Sequence, residues 1–263
     1  MLRVLHLTDP HLFADTGGAL RGTVTYASLA AVLGHYRQGD WRADIAIVTG
    51  DLIQDDSAAA YGHFRDLLGG LGIPVLCLPG NHDVRALMQD ALSDPPFRYL
   101  GSTELGNWLI VCLDSCVHGK AGGFVSDAEL DRLDAVVAAS GAPNVLVCLH
   151  HPVVPMQSEW LDTVGLENAA DVLDRLAGHR RVRGCIFGHV HQDHVSEQAG
   201  IRVIATPSTC RQFRPRSKSF SLDDRPPAYR RIELGDDGAI DDELVWTDYS
   251  AKTDKRGSDE PFY

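Results

Sequence analysis

Ile45-Ala46-Ile47-Val48-Thr49-Gly50-Asp51-Leu52-Ile53-Gln54-Asp55 begins as an apolar run, breaks at a glycine and presents a carboxylate immediately after it. Ser57 comes next, ahead of an alanine-rich stretch, where a hydroxyl can cap the first amides of a helix. Strand, sharp turn and capped helix make one β-α unit, and the unit recurs on both sides. Apolar runs at 2–8, 75–78, 109–113, 145–149 and 182–187 alternate with helical patterns near 25–37, 57–69, 84–92, 126–139 and 166–178. That alternation predicts an α/β protein. Ser126-Asp127-Ala128-Glu129 has the form of a capping box, a hydroxyl with a carboxylate three residues on.

Beyond residue 190 the long helices stop. Strand-like runs at 193–197, 201–205, 218–222, 228–234 and 239–246 predict a meander that closes a second sheet on the first. No linker, repeat or low-complexity segment divides the chain. Residues 1–250 are therefore expected to form a single domain, and the polar end 251–263 a mobile tail.

Composition narrows the functional classes. The 263 residues carry 24 basic and 36 acidic side chains, a formal net charge of −12, and 44 % are hydrophobic. Disorder is excluded over most of the chain by that hydrophobic fraction. The longest apolar runs fall far short of the roughly 20 residues that a membrane-spanning helix needs. The N-terminal apolar stretch is too short for a cleavable signal, and the six cysteines form no C-x-x-C pair, so the expected compartment is the reducing cytoplasm. The acidic balance argues against nucleic acid held on a broad basic surface. One short basic cluster, Arg211, Arg214, Arg216 and Lys218, is left without an assigned role.

The chemistry lies where the strands end. Asp9-Pro10-His11 follows the first run, Gly50-Asp51 the second and Gly80-Asn81-His82-Asp83 the third. His150-His151-Pro152 and Gly188-His189-Val190-His191 follow the fifth and sixth. Singly these are common turns and caps. Together they place carboxylates, imidazoles and one amide at the carboxyl ends of strands, the edge of an α/β sheet where ligands bind. Asp9 with His11, and His189 with His191, stand two apart, so in extended chain each pair points one way. Glycines 50, 80 and 188 allow sharp turns and close approach. Oxygen and nitrogen donors without thiolate suit Mn, Fe or Zn in sites of more than four ligands, and not a structural zinc. His82 is the candidate to contact the substrate and to donate a proton to it, with Asp83 expected to orient it. The remaining histidines, such as His6 and His35, are expected to be structural or exposed.

These five blocks resemble those of the calcineurin-like metallophosphoesterases. Gly50–Asp55, Leu78–Asp83, Trp160-Leu161-Asp162 and Ala205–Cys210 with Gln212-Phe213 are further similar to the bacterial class III 3′,5′-cyclic AMP phosphodiesterases. The resemblance implies a four-layer α-β-β-α sandwich of two mixed sheets with a dinuclear metal centre at the strand C-terminal edge. It implies that Asp9, His11 and His191 hold one metal, that Asn81, His150 and His189 hold the other, and that Asp51 bridges them. The ligand is the first residue of a His-x-Pro pattern, which selects His150 over His151. The metals are expected to be two iron, manganese or similar transition-metal ions.

The expected reaction is the opening of 3′,5′-cyclic AMP to 5′-AMP by a metal-bridging hydroxide, with His11, Asp51, Asn81, His82 and His191 contacting the substrate. The alternative is another phosphodiester: a glycerophosphodiester, a 2′,3′-cyclic nucleotide, a nucleotide-lipid or a nucleic acid. Thr206–Cys210 and the 211–218 cluster are expected to border the mouth and meet ribose or base. The oligomeric state stays open, a homodimer being one option.

Overall fold

The computed structural model describes residues 1–249; the expected mobile tail at 251–263 lies outside the described residues. Two six-stranded sheets face each other. The first comprises β1 (Leu2–Leu7), β2 (Ile45–Thr49), β3 (Val75–Leu78), β4 (Phe97–Tyr99), β11 (Ala228–Leu234) and β12 (Ile240–Trp246), in the order β12-β11-β1-β2-β3-β4. β1 to β4 run parallel, and β11 and β12 are antiparallel additions. The second comprises β5 (Ser102–Leu105), β6 (Trp108–Cys112), β7 (Asn144–Cys148), β8 (Val182–Phe187), β9 (His194–Gln198) and β10 (Ile201–Ala205), in the order β9-β10-β8-β7-β6-β5. Its four central strands are parallel and both edges antiparallel.

The late strands therefore do not form one meander. The hairpin β9–β10 extends the second sheet, whereas β11–β12 completes the first by pairing with β1, Leu2 opposite Leu234. The run expected at 218–222 is not a sheet strand; only Leu222–Asp223 pairs, with Gln212–Phe213.

The layering explains why the strands lack polar alternation. On β2, Ile45 and Ile47 point between the sheets and Ala46 and Val48 toward helices α1 (Thr25–Gln38) and α2 (Ala58–Gly69). On β6, Trp108, Ile110 and Cys112 fill the inter-sheet layer, while Leu109 and Val111 meet α3 (Asp127–Ala139) and its neighbours. The result is the four-layer order α-β-β-α. Ser57 caps α2 through the Ala59 amide, and Ser126 caps α3 through the Glu129 amide. The box at α3 closes on one side only, because the Glu129 carboxylate is taken by Arg132 and the Asp114 amide. All six cysteines are free thiols, and five are fully buried. Among the described residues, no helix is long and apolar enough to cross a membrane.

Candidate metal centre

The carboxyl ends of β1, β2 and β3 meet those of β7 and β8 at one rim of the sandwich. The loops after β1 and β2 are zipped together: the Asp9 amide donates to the Gly50 carbonyl (3.1 Å), that of His11 to Asp51 (3.0 Å) and that of Leu12 to Leu52 (2.9 Å). Packing is tight enough to exclude side chains. A Cβ at Gly188 would lie 1.9 Å from Thr8 Oγ1, and one at Gly50, itself at φ +92°, 2.4 Å from His150 Nδ1.

Asp9 and His11 do converge, though not through extended chain, whereas His189 and His191 face different donor clusters. Asp9 (φ +53°), His11 (+49°), Asp51 (+52°), His189 (+64°) and His191 (+48°) all occupy the left-handed region. Each such residue costs about 1–3 kcal/mol, and such strain collects at functional sites. The left-handed turns, not the period of two, aim these donors inward.

Two clusters result, in which every donor but the half-buried Asn81 is buried. In the first, His11 Nε2 lies 3.2 Å from His191 Nε2, which lies 3.3 Å from Asp9 Oδ1. In the second, His150 Nε2 lies 3.2 Å from Asn81 Oδ1 and 3.3 Å from His189 Nδ1. Asp51 Oδ2 stands between them, 3.8 Å from His11 Nε2 and 3.4 Å from His150 Nε2. Its other oxygen accepts from the His82 amide at 2.9 Å.

The outward ring nitrogens define the inward ones. His150 Nδ1 donates to the Thr49 carbonyl (2.7 Å), His189 Nε2 to that of Val164 (3.0 Å) and His191 Nδ1 to that of Arg211 (2.6 Å). A carbonyl only accepts, so each outward nitrogen carries the proton and, in the neutral ring, the inward nitrogen is bare. Burial drives His11 down to about 3 and His189 well below the imidazole range, so both are neutral. Asp9 supplies a matching sign. Its Oδ2 accepts from Thr8 Oγ1 (2.6 Å) and the His189 amide (3.0 Å), whereas Oδ1 is buried without a hydrogen-bond partner among the described residues. Bare nitrogens and an unsatisfied carboxylate oxygen facing one another suit cations. Asp51 is held well below the carboxylate range: burial opposes its charge, but His150 and His82 outweigh burial. At His150 burial likewise opposes the charged ring, and Asp51 reverses it, raising His150 to about 9.

His151 also lies near His150 and His189, but both its nitrogens are engaged, by Ser115 Oγ (2.9 Å) and the Ala121 carbonyl (3.0 Å). His150 is the one that faces the cluster. His6 bonds Thr49 and Thr206 inside the core, in keeping with a structural role.

His82 borders the recess beside Asn81, but Asp83 does not orient it. The Asp83 carboxylate accepts from the Leu52 amide (3.1 Å), the Gly80 amide (2.8 Å) and Tyr61 Oη (2.9 Å), and so ties the β2 and β3 loops together. Burial, then Asp51, raises it to about 7. The reason is local: the Asp83 amide donates back to the Gly80 carbonyl, which turns its side chain away from His82. Gln54 takes the place expected of Asp83. Its Oε1 accepts from His11 Nδ1 (2.8 Å), and its Nε2 lies 3.3 Å from His82 Nδ1. Thr206–Cys210 also lie elsewhere than expected. They are buried under the first loop, with Ser208 Oγ donating to the Asp9 carbonyl at 2.7 Å. The mouth is bordered instead by Trp160, Leu161, Val164 and Phe213, with Arg214, Arg216 and Lys218 exposed nearby in sequence.

Comparison with known proteins places the chain in a family. The family of calcineurin-like phosphoesterases matches residues 2–193. The chain is 39 % identical over 245 residues, 93 % of this chain and 89 % of the relative, to the 3′,5′-cyclic adenosine monophosphate phosphodiesterase CpdA of Haemophilus influenzae. It is 38 % identical to CpdA of Escherichia coli K12, over 92 % of this chain and 89 % of that one. Among solved structures, a dimetal phosphatase from Danio rerio superposes with a TM-score of 0.64 at 16 % identity, covering 94 % of this chain and 99 % of that chain.

Proposed function

The chain belongs to the calcineurin-like phosphoesterase family, and from that premise we propose that it is the enzyme that opens 3′,5′-cyclic AMP to 5′-AMP. The observation that carries the substrate is the 37–39 % identity to CpdA phosphodiesterases over at least 90 % of the chain. The family works with a dinuclear metal centre, and the donor clusters fit it. Asp9 Oδ1, His11 Nε2 and His191 Nε2 would hold one cation, and Asn81 Oδ1, His150 Nε2 and His189 Nδ1 the other, with Asp51 Oδ2 shared. Donors of oxygen and nitrogen without sulfur suit iron or manganese. When bound, two such ions supply charge neutralisation at the phosphate and lower the pKa of water from about 15.7 toward neutrality.

The protein's own part is orientation and hydrogen-bond donation. His11 presents Nε2 inward, so its Nδ1 carries the proton and Gln54 must turn Oε1 toward it. The Gln54 amide nitrogen then faces His82 Nδ1 and donates to it. His82 is thereby held as the tautomer with its proton on Nε2. Through that N–H His82 donates a hydrogen bond to the 3′-oxygen, stabilising the negative charge that builds there as the P–O3′ bond breaks. Asp83 contributes by fixing the loop that carries Asn81 and His82. Burial excludes bulk water from the donors, which strengthens each of these interactions.

The test is kcat/KM on one metal-loaded preparation for 3′,5′-cyclic AMP, 2′,3′-cyclic AMP, glycerophosphodiesters and single-stranded DNA. Cyclic AMP should rank first. Any of the others ranking above it by tenfold would overturn the assignment.

A further inference from the structure

None of the residues given a role above meets the base of a cyclic nucleotide. Above the donor clusters stands an aromatic wall. Phe213 lies flat on the ring of His191, with centroids 4.1 Å apart and planes 5° apart. Trp160, on the short helix Glu159–Asp162, stands edge-on to Phe213 at 5.2 Å and to Phe220 at 5.2 Å. Phe220 is the outermost ring, 38 % exposed. Trp160 and Phe213 line the same recess as Asp51, Asn81 and His82. Trp160 Nε1 is buried and has no hydrogen-bond partner among the described residues. A buried indole N–H ordinarily finds one, so the recess holds an unspent donor beside an aromatic surface, next to the groups that would bind phosphate.

We infer that Trp160, backed by Phe213, is the specificity-determining wall against which the adenine packs. This rests on the cyclic AMP reading above. Stacking on an aromatic ring strengthens binding of any base, so the wall selects nucleotides over phosphoesters that lack a base. The recess as it stands has a cavity of about 20 Å³, room for about one water. A base therefore enters only when the lining side chains give way.

The experiment is calorimetric binding of 5′-AMP and ribose 5-phosphate, the same monoester without its base, to the metal-loaded full chain. The unaltered protein should bind 5′-AMP at least tenfold more tightly. Trp160→Ala and Trp160→Leu should bring the two affinities within threefold of each other through loss of 5′-AMP binding alone, while Trp160→Phe keeps most of the preference. In turnover, Trp160→Leu should raise KM for cyclic AMP about tenfold with kcat within threefold. Thermal melting identifies any variant that fails to fold, and the leucine variant, which keeps the apolar bulk, then decides. An unchanged preference in a folded variant, or an equal loss for both ligands, would overturn the inference. So would absence of any preference in the unaltered protein, even if it opens cyclic AMP. A tenfold preference in a protein that leaves cyclic AMP intact would refute the activity and leave the wall standing.

Discussion

Gln54→Glu separates the two tasks that one side chain performs. The carboxylate keeps an oxygen for His11 Nδ1, which sits 2.8 Å from Gln54 Oε1, so the support of that ligand survives. It has no N–H to offer His82 Nδ1, 3.3 Å from Gln54 Nε2. An anionic oxygen there draws the His82 proton onto Nδ1 and leaves Nε2 bare toward the substrate. The variant should retain both metals yet lose most of the stabilisation that His82 gives the leaving oxygen, about 10²-fold in kcat, equal to about 3 kcal/mol at about 1.36 kcal/mol per decade. The assay compares cyclic AMP with an ester whose leaving group is nitrophenolate, which departs without a proton. On that ester the loss should stay below about tenfold, and elemental analysis should give the same metal content as the unaltered protein. Equal losses on both esters with full metal content would refute the tautomer assignment, and so would undiminished turnover of cyclic AMP.

Two further outcomes follow from the same geometry. Asp51→Ala removes the oxygen that lies between the clusters, 3.8 Å from His11 Nε2 and 3.4 Å from His150 Nε2, and should abolish activity and most of the bound metal; elemental analysis showing two metals retained would contradict the bridging position. The raised pKa of His150, about 9, means that the metal-free protein carries a proton there below that pH, so a cation must displace it. Apparent metal affinity should then fall about tenfold between pH 8 and pH 7 for this one proton. Calorimetry in buffers of different ionisation enthalpy counts the protons released, and none released at pH 7 would exclude the displacement.

Much of this was legible in the chain because of where the strands are buried. The runs at 45–49, 75–78 and 182–187 coincide with β2, β3 and β8, since a strand covered on both faces is mostly apolar, Arg183 at the exposed start of β8 being the exception. β4 and β5 gave no such signal: they are three and four residues long, at sheet edges, and carry Arg98, Ser102, Thr103 and Glu104. The pairing of β1 with β11 joins residues at opposite ends of the chain, Leu2 with Leu234, and no local pattern announces it. At the site, donor identity was readable and donor direction was not. Asp83 adjoins His82 in sequence, yet a turn sends its carboxylate to Gly80 and Leu52, and Gln54 reaches His82 from another loop. Trp160 stood in a quoted motif, but only the folded chain brings its ring against Phe213.

The division of donors between the sheets carries a consequence for stability. Asp9 and His11 come from the first sheet and His191 from the second; Asn81 comes from the first, His150 and His189 from the second. Neither cluster is complete without both sheets, and Asp51 lies between the two clusters. The buried Asp9 Oδ1 has no hydrogen-bond donor among the described residues. A cation held by the first cluster would satisfy that oxygen, and one held by either cluster would cross-link the sandwich at its rim, where the inter-sheet apolar layer ends. Binding to the folded state alone stabilises by about 2.7 kcal/mol when the ligand stands at about 100 times its Kd. Metal binding thus offsets part of the cost of the left-handed donors, and the two halves of the fold are coupled through the groups that perform the chemistry.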